Sequence, residues 1–240
     1  LGDVYKRQSM GGAYSNHCHA LAFVGRLLGL ETAALIRGEE RMTPTLDDMQ
    51  HWGMQLKFVS RTDYRKLRHY KDWRELPGLE SGHYWLPEGG SVPLALQGVA
   101  ELVAEIDRPF DLFCLPCGTG TTLAGVIEAV PFKTQVWGFA ALKGAGFMKQ
   151  DVAALLTASR DNWSINLDYH FGGFAQVRPE LLQFIRQFTR KTSIALEPVY
   201  TGKMMYGIYD MIRQGQIESG CRIIALHTGG MQGNRGFEVS

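Results

Sequence analysis

The sequence predicts an α/β protein built on open, doubly wound parallel sheets. Short apolar runs alternate with amphipathic stretches of roughly 10–15 residues, the pattern of parallel strands joined by helical crossovers. Three of the turns that would follow strands share one chemistry. They are Gly11–His17 ("GGAYSNH"), Pro116–Thr122 ("PCGTGTT") and His227–Gly230 ("HTGG"), all rich in glycine and hydroxyls and free of acids. Ligands of such sheets bind beyond the carboxyl ends of the strands, where these loops would lie.

The elements follow in order. Ser15–Leu28 reads as a helix, with apolar Ala20, Leu21, Phe23, Val24, Leu27 and Leu28 and a terminating Gly29. Glu31–Arg37 is a buried strand, Thr45–Trp52 a helix stopped by Gly53, and Gln55–Ser60 a strand. Val92–Ile106 is a long amphipathic helix and Asp111–Leu115 a strand; Thr122–Ala129, beyond the Gly/Thr loop, is again a helix. Gln135–Ala140 is a strand, and Phe147–Ala158, Glu180–Arg190 and Thr201–Arg213 are helices. Arg222–Leu226 is the last clear strand and runs into "HTGG".

Composition bounds the function. The 240 residues are 45% hydrophobic and 20% charged, an ordinary globular balance for one large domain or two small ones. Net charge is +1 with both signs mixed, so no nucleic-acid partner is implied. No apolar run approaches the roughly 20 residues of a membrane span. Four cysteines do not make a disulfide scaffold at this length, and a reducing cytoplasm is the default compartment. Cys114-Leu115-Pro116-Cys117 spells CxxC, but no second pair accompanies it and Cys114 sits in an apolar run. His17-Cys18-His19 would diverge by about 100° per residue at a helix start, which disfavours a metal. No metal site is expected.

The loop at Gly118, Thr119, Gly120, Thr121 and Thr122 lies between a strand and a helix. Glycines let backbone N–H groups approach an anion, threonines add hydroxyl donors, and the helix dipole favours negative charge. A Walker loop would need Gly-Lys-Ser/Thr, which is absent. A dinucleotide fingerprint would need a third glycine where Leu123 stands, and an acid about 20 residues on, which is also absent. A small monophosphate fits better; an ordinary Gly-rich turn is the alternative.

Taken together, "GGAYSNHCHALA", "CGTGTTLAGV", "EPVYTGKMMYGIYDM" and "HTGGMQG" resemble the pyridoxal-phosphate (PLP) enzymes grouped as D-cysteine desulfhydrase and 1-aminocyclopropane-1-carboxylate (ACC) deaminase. These have the tryptophan-synthase-β-like fold, fold type II: two open parallel-sheet, three-layer domains. The resemblance runs from about Ser9 to the C-terminus. It implies that Thr119, Gly120, Thr121 and Thr122 bind the cofactor phosphate and that Asn16 bonds the ring 3′-oxygen. It places Thr228 beside the ring nitrogen, where a neutral hydroxyl makes a weaker electron sink than a carboxylate partner would. Ser15 and Tyr200 would face a small amino-acid substrate and handle catalysis. ACC deaminases carry Glu and Leu where this chain has Thr201 and Thr228, which places it on the desulfhydrase side. Phe174 falls near a position where relatives often have a second Tyr. A homodimer is implied as well.

The resemblance also implies a lysine that bonds the cofactor, in an "S/GGNK" segment upstream of "GG…SNH". The sequence has no such segment. Residues before Gly11 should form a buried strand, yet Lys6, Arg7 and Gln8 stand there and only Ser9 and Met10 suit one. Residues 1–8 are accordingly expected to be a non-native leader, residues 9–93 the smaller domain, and residues 94–240 a larger domain lacking its first elements. The chain as written would be inactive and, with apolar surface uncovered, poorly soluble. Lys203 and Lys143 are the substitutes to weigh, each more simply a surface or loop charge. A non-catalytic PLP-fold protein that binds a phosphate-bearing ligand is the reading from another class.

Smaller features have plainer expectations. Trp85–Ser91 ("WLPEGGS") is a return from the smaller domain. The basic run Arg61–Arg74 is a solvated helix face. His170 and His227, beside Gly loops, are expected to pack rather than act as bases.

Overall fold

The computed structural model describes residues 6–70 and 83–237. The chain divides into two compact units, Leu1–Val92 and Pro93–Ser240. Each carries a four-stranded sheet in which every pairing is parallel.

In the first unit the strands are β1 (Lys6–Gly11), β2 (Glu31–Arg37), β3 (Gln55–Val59) and β4 (His83–Trp85), in the order β3-β2-β1-β4. β1 begins at Lys6, before the Ser9–Met10 stretch that composition alone makes strand-like. Its polar residues sit at the amino end, where burial is partial, and the Lys6 ammonium reaches Gln55 Oε1 at 2.7 Å. Ser9, Met10 and Gly11 are buried. α1 (Asn16–Leu28), α2 (Pro44–His51) and α3 (Arg61–Leu67) follow β1, β2 and β3. Strand alternation sorts the core. Ala34 and Ile36 of β2 pack with Cys18, Ala22, Leu46 and Met49 from α1 and α2, while Leu35 packs on the other face with Met10, Tyr64 and Trp85. That makes three layers.

α3 is not simply solvated. Tyr64 is 2% exposed, with the Arg37 and Arg68 guanidinium groups 5.5 and 5.6 Å from its ring centre. Residues 71–74 of the basic run lie outside the described residues.

In the second unit β5 (Leu112–Cys117), β6 (Gln135–Ala140), β7 (Trp163–Asn166) and β8 (Ile223–Ala225) run in the order β7-β6-β5-β8. β5 is buried along its whole length, as a strand covered on both faces must be. Phe113, Leu115 and Cys117 meet α4 (Pro93–Ala104), α5 (Thr121–Ala129) and α6 (Met148–Leu155); Leu112 and Cys114 meet α8 (Thr201–Arg213). α7 (Pro179–Thr192) packs outside α8 through Leu181, Ile185 and Phe188. β4 and β7 carry no strong period-2 signal and were not legible as strands. α6 is shorter than the expected Phe147–Ala158: Phe147 belongs to a separate 3₁₀ turn, Ala145–Phe147, and the helix stops at Leu155 because Leu156 is extended.

Candidate active site

At the carboxyl end of β1 the chain turns through Gly12–Asn16 into α1. Ser15 is the N-cap, its Oγ accepting the Cys18 N–H at 3.2 Å. A Cβ at Gly11 would lie 2.5 Å from Ser15 Oγ, so the turn closes only on glycine. Asn16 is the first helical residue. At the next residue, His17 Nε2 lies 2.8 Å from Ser9 Oγ, whose hydroxyl donates to Leu86 O at 2.8 Å. With that proton committed, His17 must donate from Nε2. Burial lowers its pKa to about 4, against the pull of Glu88, so the ring is neutral.

The 3₁₀ turn Glu88–Gly90, at the end of β4, comes to the same place. Tyr64 donates to Glu88 Oε1 at 2.6 Å, Arg68 pairs with Glu88, and a Cβ on Gly90 would stand 3.2 Å from the His17 ring. "GGAYSNH" and "PEGG" are thus one loop cluster at one end of the first sheet.

His17, Cys18 and His19 point three ways. His19 Nε2 is 3.0 Å from Asp48 Oδ2, and Cys18 is buried, its pKa pushed up to about 11 by that burial. Among the described residues, no group of three His, Cys, Asp or Glu could hold a metal ion. Cys114 and Cys117, three apart on a strand, occupy opposite faces of the sheet, and burial pushes both thiols up, Cys117 to about 12. They form neither a redox pair nor a metal clip.

The second unit holds the Gly/Thr loop. Gly120, at φ 85°, is the N-cap of α5, and no side chain caps that helix end. The first N–H groups of a helix have no intrahelical partner. Here they are flanked by the Thr119 and Thr121 hydroxyls, 3.1 Å apart. Thr121 is 5% exposed and Thr122 half-buried. A Cβ at Gly120 would fall 2.5 Å from Val152 Cγ2, so sterics and backbone sign both demand glycine.

Tyr200 reaches this loop from the start of α8, its hydroxyl and Cε1 each 3.4 Å from where a Gly118 Cβ would sit. The loop after β8, the strand beside β5, brings Thr228 to the same end of the sheet. Thr228 is exposed and is followed by Gly229 and Gly230, both with left-handed φ. His227 shapes that turn: Nε2–H donates to Ala195 O at 2.9 Å and Nδ1 accepts the Gly229 N–H at 3.1 Å. His170 likewise accepts the Gly172 N–H at Nδ1.

Glu197 was not singled out by sequence reasoning. Its carboxylate, 1% exposed, accepts the backbone N–H groups of Val199 (2.7 Å), Tyr200 (2.7 Å) and Thr201 (2.6 Å). It therefore seats the N-terminus of α8 and the backbone of Tyr200. Burial nonetheless pushes its pKa up. The legible signal was an acid four residues before the helix start at Thr201.

Residues 6–229 match the family of pyridoxal-phosphate dependent enzymes. The chain belongs to that family. PLP enzymes among its relatives include a putative ACC deaminase of Pyrococcus horikoshii, 28% identical over 97% of this chain and 78% of the relative. A second is the mitochondrial bifunctional D-cysteine desulfhydrase/ACC deaminase of Arabidopsis thaliana, 27% identical over 94% of this chain and 63% of the relative. The crystal structure of an ACC deaminase homologue superposes with a TM-score of 0.76 at 24% identity, covering 96% of this chain and 75% of that one. A hydrogen sulfide-producing enzyme from Fusobacterium nucleatum has a TM-score of 0.65 at 13% identity, covering 97% and 80%. These superpositions show the fold of the type II PLP enzymes.

The second unit's residues fit the phosphate of PLP. An uncapped helix end, a cradle that a Cβ at Gly120 would fill, and two hydroxyls form an anion site without a competing acid. The two candidate lysines differ in setting. Lys143 is exposed. Lys203 is 2% exposed, and its ammonium is held by the carbonyls of Gly173 (2.8 Å), His170 (2.9 Å) and Ala141 (3.4 Å). Of the two plain roles expected for it, surface charge or loop contact, it takes the loop contact.

Proposed function

We infer that this chain carries the cofactor- and substrate-facing residues of a PLP-dependent lyase for a small amino acid, with D-cysteine desulfhydration as the reaction. Loss of the α-proton and of the thiolate, followed by hydrolysis, gives pyruvate, ammonia and sulfide. The observation that carries the reading is Tyr200 standing at Gly118 of the uncapped Gly/Thr loop. The backbone of Gly120 and the hydroxyls of Thr119, Thr121 and Thr122 would hold the phosphate. The resemblance assigns Asn16 to the ring 3′-oxygen and Thr228 to the ring nitrogen, roles they would take on if the cofactor were bound. PLP supplies the electron sink for the α-carbon. Ser15 spends a lone pair on its helix cap, leaving its hydroxyl proton for the substrate-facing role the resemblance assigns it, and Tyr200 would offer a phenolic proton.

Thr201 supports the desulfhydrase side over ACC deamination. It is fully buried and its Oγ1 lies 3.2 Å from Glu197 Oε1. A Glu at that position would set a second carboxylate against a buried one, so the change distinguishing the two groups also rebuilds the helix cap under Tyr200. The first alternative stays ACC deamination, and the second a phosphate-ligand binder of the same fold.

The cofactor-bonding lysine is the open component, because the sequence contains no Gly-Asn-Lys. The test compares the 240-residue chain with a form extended by any in-frame coding sequence that the genome places upstream. Both are loaded with PLP, treated with borohydride and analysed by mass spectrometry. Cofactor fixed in the extended form alone, together with sulfide release from D-cysteine, is the expected result. Fixation on the 240-residue chain would overturn the dismissal of Lys203 and Lys143. An extended form releasing 2-oxobutyrate from ACC instead of sulfide would move the assignment to the first alternative. PLP binding with neither product would move it to the second.

A further inference from the structure

The segment His170–Ala175 is conformationally expensive. Phe171 and Ala175 both sit at φ 55°, and Gly172 and Gly173 at 105° and 130°. Left-handed backbone at two non-glycine residues persists only where surrounding contacts over-determine it. The contacts here converge on one side chain. The Lys203 ammonium, one turn along α8 from Tyr200, donates to the carbonyls at both ends of the turn, His170 and Gly173, and to Ala141 at the end of β6. The turn closes on itself as well, with Gly173 N–H donating to His170 O at 3.0 Å.

Its product is a placed aromatic ring. Phe174 leaves the turn to meet Tyr200 edge-on, with ring centres 6.1 Å apart at 67°. Phe174 is otherwise exposed, at 44%. We propose that Lys203 is a positioning residue: its ammonium clamps the 170–175 turn so that Phe174 braces the Tyr200 ring beside the Gly118–Thr122 loop. Glu197 seats the Tyr200 backbone and Lys203, through Phe174, seats its ring. Both groups are buried, and Glu197 favours the Lys203 ammonium against the burial that lowers its pKa to about 8. The functional consequence for Tyr200 rests on the lyase reading above; the clamp itself does not.

The test uses the 240-residue chain with Lys203→Met, which keeps the length of the side chain and removes its donors, and Lys203→Gln, which keeps two. Three readouts are made. Amide hydrogen exchange should accelerate at least about tenfold at Gly172, Gly173 and Gln176 in Lys203→Met, and less in Lys203→Gln, with α5 and β6 amides unchanged. Nitration of Tyr200 by tetranitromethane, read by peptide mass spectrometry, should rise severalfold, and Phe174→Ala should reproduce that rise without the exchange change. PLP affinity should stay within about twofold, because Lys203 touches no phosphate-loop residue. Unchanged exchange at the turn, or unchanged Tyr200 nitration, in a folded Lys203 variant overturns the proposal. If Lys203→Met does not fold, Lys203→Gln decides on the same criteria. Failure of wild-type protein to bind PLP would sink the lyase reading while leaving the clamp intact, so the two failures are distinguishable.

Discussion

Three residues set the chemistry of the loops. His17 is buried and neutral because desolvation outweighs the nearby Glu88 charge, and its Nε2 proton goes to Ser9. Its native pKa, about 4, lies below the ordinary 6.5. The unfolded chain therefore takes up a proton first as pH falls, and stability, complete above about pH 6.5, is lost progressively down to about pH 4. Between pH 7.5 and 5 this one group should cost about 2 kcal/mol. Urea midpoints of wild type and His17→Gln at the two pH values should show the mutant losing that much less. Gly120→Ala is expected to cost about 2–3 kcal/mol, from a left-handed Ala and the clash with Val152, and to abolish PLP binding followed by fluorescence. Thr121→Val keeps the shape and removes one hydroxyl. It should weaken PLP binding about fivefold to tenfold with little effect on melting.

At the scale of elements, the decisive object is the N-terminus of α8. Its orphan N–H groups are satisfied by an acid that precedes the helix, not by water, because Glu197, Pro198 and Val199 are all buried. Glu197→Ala would leave the Val199, Tyr200 and Thr201 N–H groups without their acceptor and should destabilise by at least about 3 kcal/mol, against about 1–2 for Glu197→Gln, which can still accept. Chemical denaturation of the two variants gives the comparison. α5 is treated in the opposite way: its N-terminus has no side-chain cap, which is what an anion site requires. Two helices of one unit thus show the same physical problem solved once by a built-in carboxylate and once, on the reading above, by a ligand.

At the scale of the molecule, each sheet gathers its loops at the carboxyl ends of its parallel strands. Ligand binding to the folded state alone must raise its melting temperature. PLP at about 100 times its Kd should stabilise by about 2.7 kcal/mol, and thermal unfolding of wild type should shift upward while that of Gly120→Ala does not. The outer face of α1 carries Phe23, Val24, Leu27 and Leu28, the two leucines each 66% exposed. Leu27→Glu with Leu28→Lys should leave stability within about 0.5 kcal/mol and reduce aggregation measured by light scattering. Among the described residues no helix is long and apolar enough to cross a membrane.

The amino-acid sequence by itself determined the α/β class, most helices and the three Gly- and hydroxyl-rich loops. Those are local properties: hydrophobic period, glycine stops and helix-start chemistry act within a dozen residues. Tertiary structure alone decided the rest. β1 could extend back over Lys6–Gln8 because only the carboxyl half of that strand is deeply buried. β4 and β7 are strands because a neighbouring strand supplies their hydrogen bonds, at three and four residues each, too short for a period to show. Glu197, Lys203 and Phe174 take their parts from contacts across as many as 62 positions of chain, and a buried ammonium on three carbonyls leaves no trace in local sequence. The loops were legible because each is a run of neighbouring glycines and hydroxyls. The supports of Tyr200 were not, because they are assembled from segments that only the fold brings together.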